Sequence, residues 1–455
     1  MQKAIETLKA RQAEHLDWLI ELCRIPSIST TPEHAADVRK AAEWTAEKCR
    51  QAGLDTELHE TGGHPAVVAQ WCHAGESAPT YLVYGHVDVQ PTGDPNLWDA
   101  DPFEPQHKGD WLIARGSADD KGQVLLYVRA AEAWLKAHGK LPINLKLLIE
   151  AEEEIGSPHL EPFIREHTDL LRCDGILISD TGLARDGQPA ITRGTRGMVY
   201  KEVFLTGPNH DLHSGQFGGA VVNPANALAA MIAGLHDADG RVTVPGFYDN
   251  VPDPTPEERA QIAAIGIDDQ AFAAELGVDA LWHGEPGFSP QEMRSIRPVL
   301  DVNGITAGFQ GQGANTIIPA RASAKISMRL VPGQVARDVS KAFDQRVREL
   351  CPPGVKMEVV THGSEADAYV TPDDCPALNA AIEALQDAFD EKPVHLREGG
   401  SLPILPMFKE VLGADCVLLG FASPTCNAHG PNEKVRLPDL DRGAETIVRL
   451  FGKLG

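Results

Sequence analysis

The chain has 455 residues, 42% hydrophobic and 23% charged, which fits a soluble globular protein with neither repeats nor low-complexity segments. Its length is too great for one simple core, so two domains are expected. Against 41 basic residues stand 65 acidic ones, a formal net charge of −24 that repels nucleic acid and anionic membranes as partners.

The eight cysteines (Cys23, Cys49, Cys72, Cys173, Cys351, Cys375, Cys416 and Cys426) form no CxxC pair. That scatter argues against a disulfide framework or a thiolate zinc site and suits a reducing compartment. The N-terminal segment has no apolar run of signal-peptide type, and no stretch is apolar enough to span a bilayer, so the expected location is cytoplasmic.

In chain order, helical periodicity covers Ile5–Leu22 and Ala35–Ala52, and an apolar run follows at Thr80–Val89. Lys121–His138 repeats Val124, Val128, Ala131 and Leu135 at helical spacing, with Asp120 as N-cap and Gly139 as terminator. Ile143–Glu150 and Gly175–Ser179 read as buried strands. Alternating strands and helices predict an α/β domain with a mostly parallel central sheet flanked by helices.

Texture changes near Thr192. β-type alternation appears at Met198, Tyr200, Glu202 and Phe204, followed by a helix at Pro224–Leu235 and a Pro- and charge-rich connection at Val244–Glu258. A strand at Ala322–Leu330 and a helix at Val335–Leu350 complete an inserted α+β domain. The first texture returns after Gly363, with a helix at Pro376–Phe389, a strand at Asp415–Gly420 and a helix at Leu437–Phe451.

Five metal-ligand types fall at the ends of these elements: His86 in GHVDVQP, Asp119 in RGSADDKG, Glu154 in EAEEEIGS, Asp180 in SDT and His429 in CNAHGPNE. Two histidines and three carboxylates exceed the needs of one tetrahedral ion. Two ions sharing one carboxylate would use all five, and such donors suit zinc, manganese or cobalt. In an open parallel sheet, ligands gather at the carboxyl ends of strands. His86 and Asp88 are two apart, so an extended backbone points both to one face and the aspartate can steady the imidazole. Glu153 and Glu154 point in different directions, which lets one bind metal while the other handles a proton. Taken singly, each motif has an ordinary reading as a satisfied histidine, an acidic turn, a helix cap or a polar loop. Their joint occurrence points to metal-assisted hydrolysis.

These motifs, together with DLHSGQFGG, GANTIIPARA, SMRLVPGQ and REGGSLPI in the same order, resemble the M20 metallopeptidase family and its cytosolic dipeptidase and carnosinase-like branch. The resemblance implies a zinc-exopeptidase-like catalytic domain over 1–193 and 364–455, with a lid or dimerisation domain over 194–363. It implies two divalent ions, preferably zinc, one held by His86 and Asp180 and the other by Glu154 and His429. Asp119 would bridge them, across a peptide to Asp120 that is typically cis. A hydroxide shared by the ions would attack, with Glu153 as general base and Asp88 steadying His86. Aligning on the Ile-Gly-Ser that follows makes Glu153 the base; a shift of one would give that role to Glu152. His213 and Thr316 would reach the active site of the partner in a homodimer, and Arg329 and Ser401 would hold the substrate's terminal carboxylate. His213 could also steady a developing oxyanion.

The expected reaction is cleavage of dipeptides or very short peptides. An N-acyl-amino-acid deacylase or a carboxypeptidase of the same family would use the same metals and base on a different amide. A non-catalytic protein on this scaffold should have lost the base or a ligand, and both are present.

Overall fold

The computed structural model describes residues 1–281, 284–363 and 365–455. The chain forms two compact units. One comprises Met1–Arg193, Thr371–Leu396 and Met407–Gly455, and the other Gly194–Val370 and Arg397–Pro406. The expected domain boundary falls on Ser364, outside the described residues, and residues 397–406 group with the second unit.

The first unit is built on strands β1 (Asp55–His59), β2 (Ala66–Trp71), β3 (Thr80–His86), β4 (Asn144–Glu150), β5 (Gly175–Ile178), β6 (Ala190–Thr195) and β7 (Asp415–Gly420). They lie in the order β1-β2-β4-β3-β5-β7-β6. The centre, β4-β3-β5-β7, is parallel, with His86 beside Glu150 and Leu418 beside Ile178. The margins β1-β2, β2-β4 and β7-β6 are antiparallel. Central parallel strands are covered on both faces, which is why they read as unbroken apolar runs. Every residue of β4 and β5 is buried. β1 is polar, with only Thr56 fully buried, and offers no such signal.

The helices Ala35–Ala52, Lys121–His138 and Pro376–Phe389 have the expected bounds, and the last helix runs over Leu437–Leu454. The expected Ile5–Leu22 helix is two, Gln2–Ala10 and Gln12–Cys23, because Arg11 leaves helical geometry (φ −108, ψ 9). Its guanidinium reaches Glu132 at 2.8 Å and Glu14 at 2.5 Å. The Lys121–His138 helix is buried along most of its length and packs on Leu437–Leu454, Gln2–Ala10 and Ala35–Ala52. Gly139, at φ 68, ends it as expected. Asp120 corrects the sequence reading. It occupies the N-cap position without capping, because its carboxylate instead accepts the His86 N–H at 3.3 Å.

The second unit contains an antiparallel sheet ordered Val299–Ala307, Arg321–Leu330, Gly197–Thr206 and Lys356–Thr361. Val199, Val203 and Leu205 enter its core with Ile326, Met328, Phe343 and Val347. Met198, Tyr200 and Phe204, on the opposite phase, are only half-buried. The helices Pro224–Ala233 and Ala336–Leu350 pack on this sheet. Beyond the Pro-rich connection lie Pro256–Ala264 and Pro290–Ser295, each begun by a capping box, at Thr255 and Ser289. Among the described residues, no helix is long and apolar enough to cross a membrane.

Candidate metal centre

The site grows from the carboxyl ends of the parallel strands. β3 ends on His86, Asp180 lies two residues past β5, and Glu154 lies four past β4. Asp119 precedes the Lys121–His138 helix, and that helix can begin against β3 only because residue 85 is glycine. A Cβ there would sit 2.7 Å from Asp120 Oδ2 and 2.9 Å from Val124 Cγ2. The Asp119–Asp120 peptide is cis.

Asp119 is the pivot. Its Oδ1 lies 3.2 Å from His86 Nε2, and its Oδ2 lies 3.0 Å from His429 Nε2. Glu154 Oε2 approaches the same His429 nitrogen at 3.1 Å. Two triads result, His86–Asp119–Asp180 and Asp119–Glu154–His429, each with donor atoms within 4.8 Å of one another. Donors held at about 2 Å around one tetrahedral cation stand about 3.3 Å apart, close to the 3.2, 3.0 and 3.1 Å separations of His86–Asp119, His429–Asp119 and His429–Glu154.

Asp88 organises three neighbours. Its carbonyl lies 3.1 Å and its Oδ1 3.4 Å from His86 Nδ1, which leaves Nε2 facing Asp119. The same carboxylate accepts the N–H groups of Glu153 at 3.2 Å and Glu154 at 3.1 Å, fixing the acidic turn. Gln90 donates to Glu154 Oε2 at 2.9 Å. Glu152 is occupied elsewhere, accepting from His64 N at 3.0 Å and pairing with His159 Nδ1 at 2.9 Å.

Crowded carboxylates in a buried pocket set the electrostatics. Burial, with the charges of Asp119 and Asp120, raises Asp180 well above the ordinary carboxylate range. Burial and the charges of Glu154, Asp119 and Asp88 outweigh His86 and push Glu153 up to about 7. Burial opposes charge on His86, but hydrogen bonds to Asp119 and Asp88 prevail and raise it. Hydrogen bonds to Asp119 and Glu154 lift His429 to about 10. Burial would raise Asp119, yet its two histidines hold it far below normal.

The remaining expected residues lie in the second unit and meet in two pairs. Arg329 Nη1 donates to Ser401 Oγ at 2.8 Å. Burial lowers the Arg329 pKa, and Asp301 partly offsets this. His213 and Thr316 sit on neighbouring short segments, where Ser214 N donates to Thr316 O at 2.9 Å. Both are exposed, and His213 Nδ1 accepts from Gly215 N at 3.0 Å.

The sequence assigned no role to Gln90 or Glu433, although each stands inside a motif, and read Asp120 as a helix cap rather than as the acceptor of the His86 N–H. Glu433 is fully buried and takes four hydrogen bonds from the loop that carries Asp119. A charged residue four places past His429, in a loop with Gly430 and Pro431, was the available signal.

Comparisons with known proteins show relatives along the whole chain. The chain is 29% identical to the Cys-Gly metallodipeptidase of Candida albicans over 480 residues, covering 100% of this chain and 98% of that protein. It is 31% identical to the Beta-Ala-His dipeptidase of Homo sapiens over 401 residues, covering 85% and 77% respectively. The solved M20 family metallo-carboxypeptidase of Sulfolobus solfataricus superposes with a TM-score of 0.86 at 32% identity, covering 97% of this chain and 99% of that one. Residues 82–453 match the profile of Peptidase family M20/M25/M40, and the chain belongs to that family.

Proposed function

We propose that this protein is a dinuclear metal-dependent dipeptidase that cleaves the peptide bond of dipeptides or very short peptides. One observation carries the reading: Asp119 turns one oxygen to His86 and the other to His429, so the two triads share a single carboxylate. The donor set fits two divalent ions. It is all imidazole and carboxylate, and it gathers more acidic groups than its histidines neutralise. His86 and Asp180 would hold one ion and Glu154 and His429 the other, with Asp119 between them. Zinc suits these donors best, and manganese or cobalt also fit.

Bound ions would supply Lewis acidity and lower the pKa of a coordinated water, so that it attacks the scissile carbonyl at neutral pH. The protein's own groups do the rest. Glu153 takes the proton of the attacking water and returns it to the leaving amine nitrogen, a task suited to a carboxyl poised near neutrality. Asp88 keeps His86 oriented and pins the turn that presents Glu153. Arg329, steadied by Ser401, would pair with the substrate's terminal carboxylate. His213 would stabilise the developing oxyanion, and Thr316 would assist it across a homodimer formed through the 194–363 domain. The scattered free cysteines suit a reducing, cytoplasmic setting.

A carboxypeptidase reading is favoured by the similarity to the Sulfolobus enzyme. A panel comprising Cys-Gly, β-Ala-His, an N-blocked dipeptide and an N-acetylated amino acid separates the readings. Turnover of the unblocked dipeptides, abolished by chelation and restored by zinc or manganese, is expected. Exclusive turnover of blocked compounds, or activity that survives exhaustive chelation, would overturn the assignment.

A further inference from the structure

The His429 loop is held in an unfavourable shape. Asn427, His429 and Asn432 adopt φ values of 56, 61 and 55, a left-handed region that non-glycine residues seldom enter. Such a shape persists only where surrounding contacts impose it. Lys434 N closes the loop on Cys426 O at 2.8 Å. Asn432 ties its flank to a second loop, accepting from Asp99 N at 2.9 Å and donating to Leu97 O at 3.2 Å.

Glu433 makes the decisive connection. Its Oε2 accepts from Arg115 Nη1 at 2.6 Å and Gly116 N at 2.9 Å. Its Oε1 accepts from Ala118 N at 3.0 Å and Asp119 N at 3.1 Å. Its carbonyl receives Ala114 N at 2.9 Å. One fully buried carboxylate, four residues from His429, therefore grips the backbone of Gly116, Ala118 and Asp119 and the guanidinium of Arg115. Arg115 is itself anchored, donating to Pro91 O at 3.1 Å and lying over Trp98 at 5.4 Å. A buried charge is costly unless its partners are fully arranged, and here every partner belongs to the segment that delivers Asp119.

We propose that Glu433 is a positioning residue: by clasping the Asp119 loop to the His429 loop it sets the spacing of two ligands that must meet at one ion. The proposal rests on the metal-dependent reading above and names no contact between Glu433 and metal or substrate. Removing the carboxylate would leave three peptide N–H groups and Arg115 without their acceptor, and the loop would relax away from His429.

Three variants test it: E433Q, the charge-restoring E433D, and the double variant R115Q/E433Q, which leaves no unpaired buried cation. Metal content and affinity are measured by competition with a chromogenic chelator. The visible spectrum of the cobalt-loaded protein reports ligand geometry, and circular dichroism reports the fold. E433Q and R115Q/E433Q are expected to keep the fold, bind metal about 10–100-fold more weakly and show an altered cobalt spectrum, with E433D recovering part of the affinity. Folded variants with wild-type affinity and spectrum would overturn the clasp. Loss of the fold in all three would also overturn it, assigning Glu433 to the core instead. Absence of tightly bound metal from the unmutated protein would defeat the metal-dependent reading itself, a failure visible before any substitution is made.

Discussion

In the proposed mechanism the Glu153 carboxyl accepts a proton and gives it back, and its surroundings suit that exchange. Burial and three neighbouring carboxylates push it up to about 7, while the N–H···Asp88 bond fixes its backbone. Cations beside it would favour the ionised form and restore it as a base. Because Glu153 is not one of the donors in either triad, E153Q should retain metal while turnover falls about 10²–10⁴-fold. Metal analysis alongside steady-state kinetics checks both halves, and unchanged turnover would remove Glu153 from the mechanism. Glu152, the alternative left open by the sequence, is engaged by His64 and His159. This supports Glu153 as the base.

Among the elements, the Lys121–His138 helix links the centre to the N-terminal helices. Glu132, buried midway along it, meets Arg11 at 2.8 Å and His15 Nε2 at 2.8 Å. Burial lowers the His15 pKa below 6.5, overriding the hydrogen bond to Glu132. Burial works to raise Glu132, but His15 and Arg11 prevail and hold it below 4.5. Both folded values are depressed, so the unfolded chain binds protons first and acid destabilises the fold. The contribution of His15 is complete above 6.5 and that of Glu132 above 4.5, each lost as pH falls through the folded value. E132Q should cost about 2 kcal/mol at neutral pH, the scale of hydrogen bonds to a charged group. Its deficit should narrow as pH falls below 4.5, measured by denaturation at successive pH values. A deficit independent of pH would show that Glu132 contributes through packing rather than charge.

On the scale of the whole molecule, the residues divide cleanly: the two triads, Asp88 and Glu153 belong to the first unit, and His213, Thr316, Arg329 and Ser401 to the second. On the proposed reading, one unit supplies the chemistry and the other recognises substrate, a division compatible with action across a dimer. In the second unit, Val299–Ala307 is the edge strand and exposes Ile305 at 59%. If His213 serves the partner's site, mixing inactive H213A and E153Q subunits should restore turnover to a fraction of the dimers. No rescue in verified mixed dimers would place His213 in the service of its own chain.

Local chemistry made much of this molecule legible in advance. The buried parallel strands and the long apolar helices announce themselves, because unbroken apolar runs and helical spacing are properties of a segment alone. The family motifs likewise named the five residues that the fold gathers into two triads. The polar marginal strand β1 gives no such signal, since its place depends on the neighbour it pairs with. Arg11 breaks a helix, and Asp120 abandons its cap, because distant Glu132 and the His86 N–H compete for them. Glu433 was invisible as a clasp for the same reason: its partners at 115–119 lie more than three hundred residues away in the chain. Residue type and spacing determined the kind of chemistry, while folding alone decided which atoms face one another, because hydrogen bonds and charge act through distance in space.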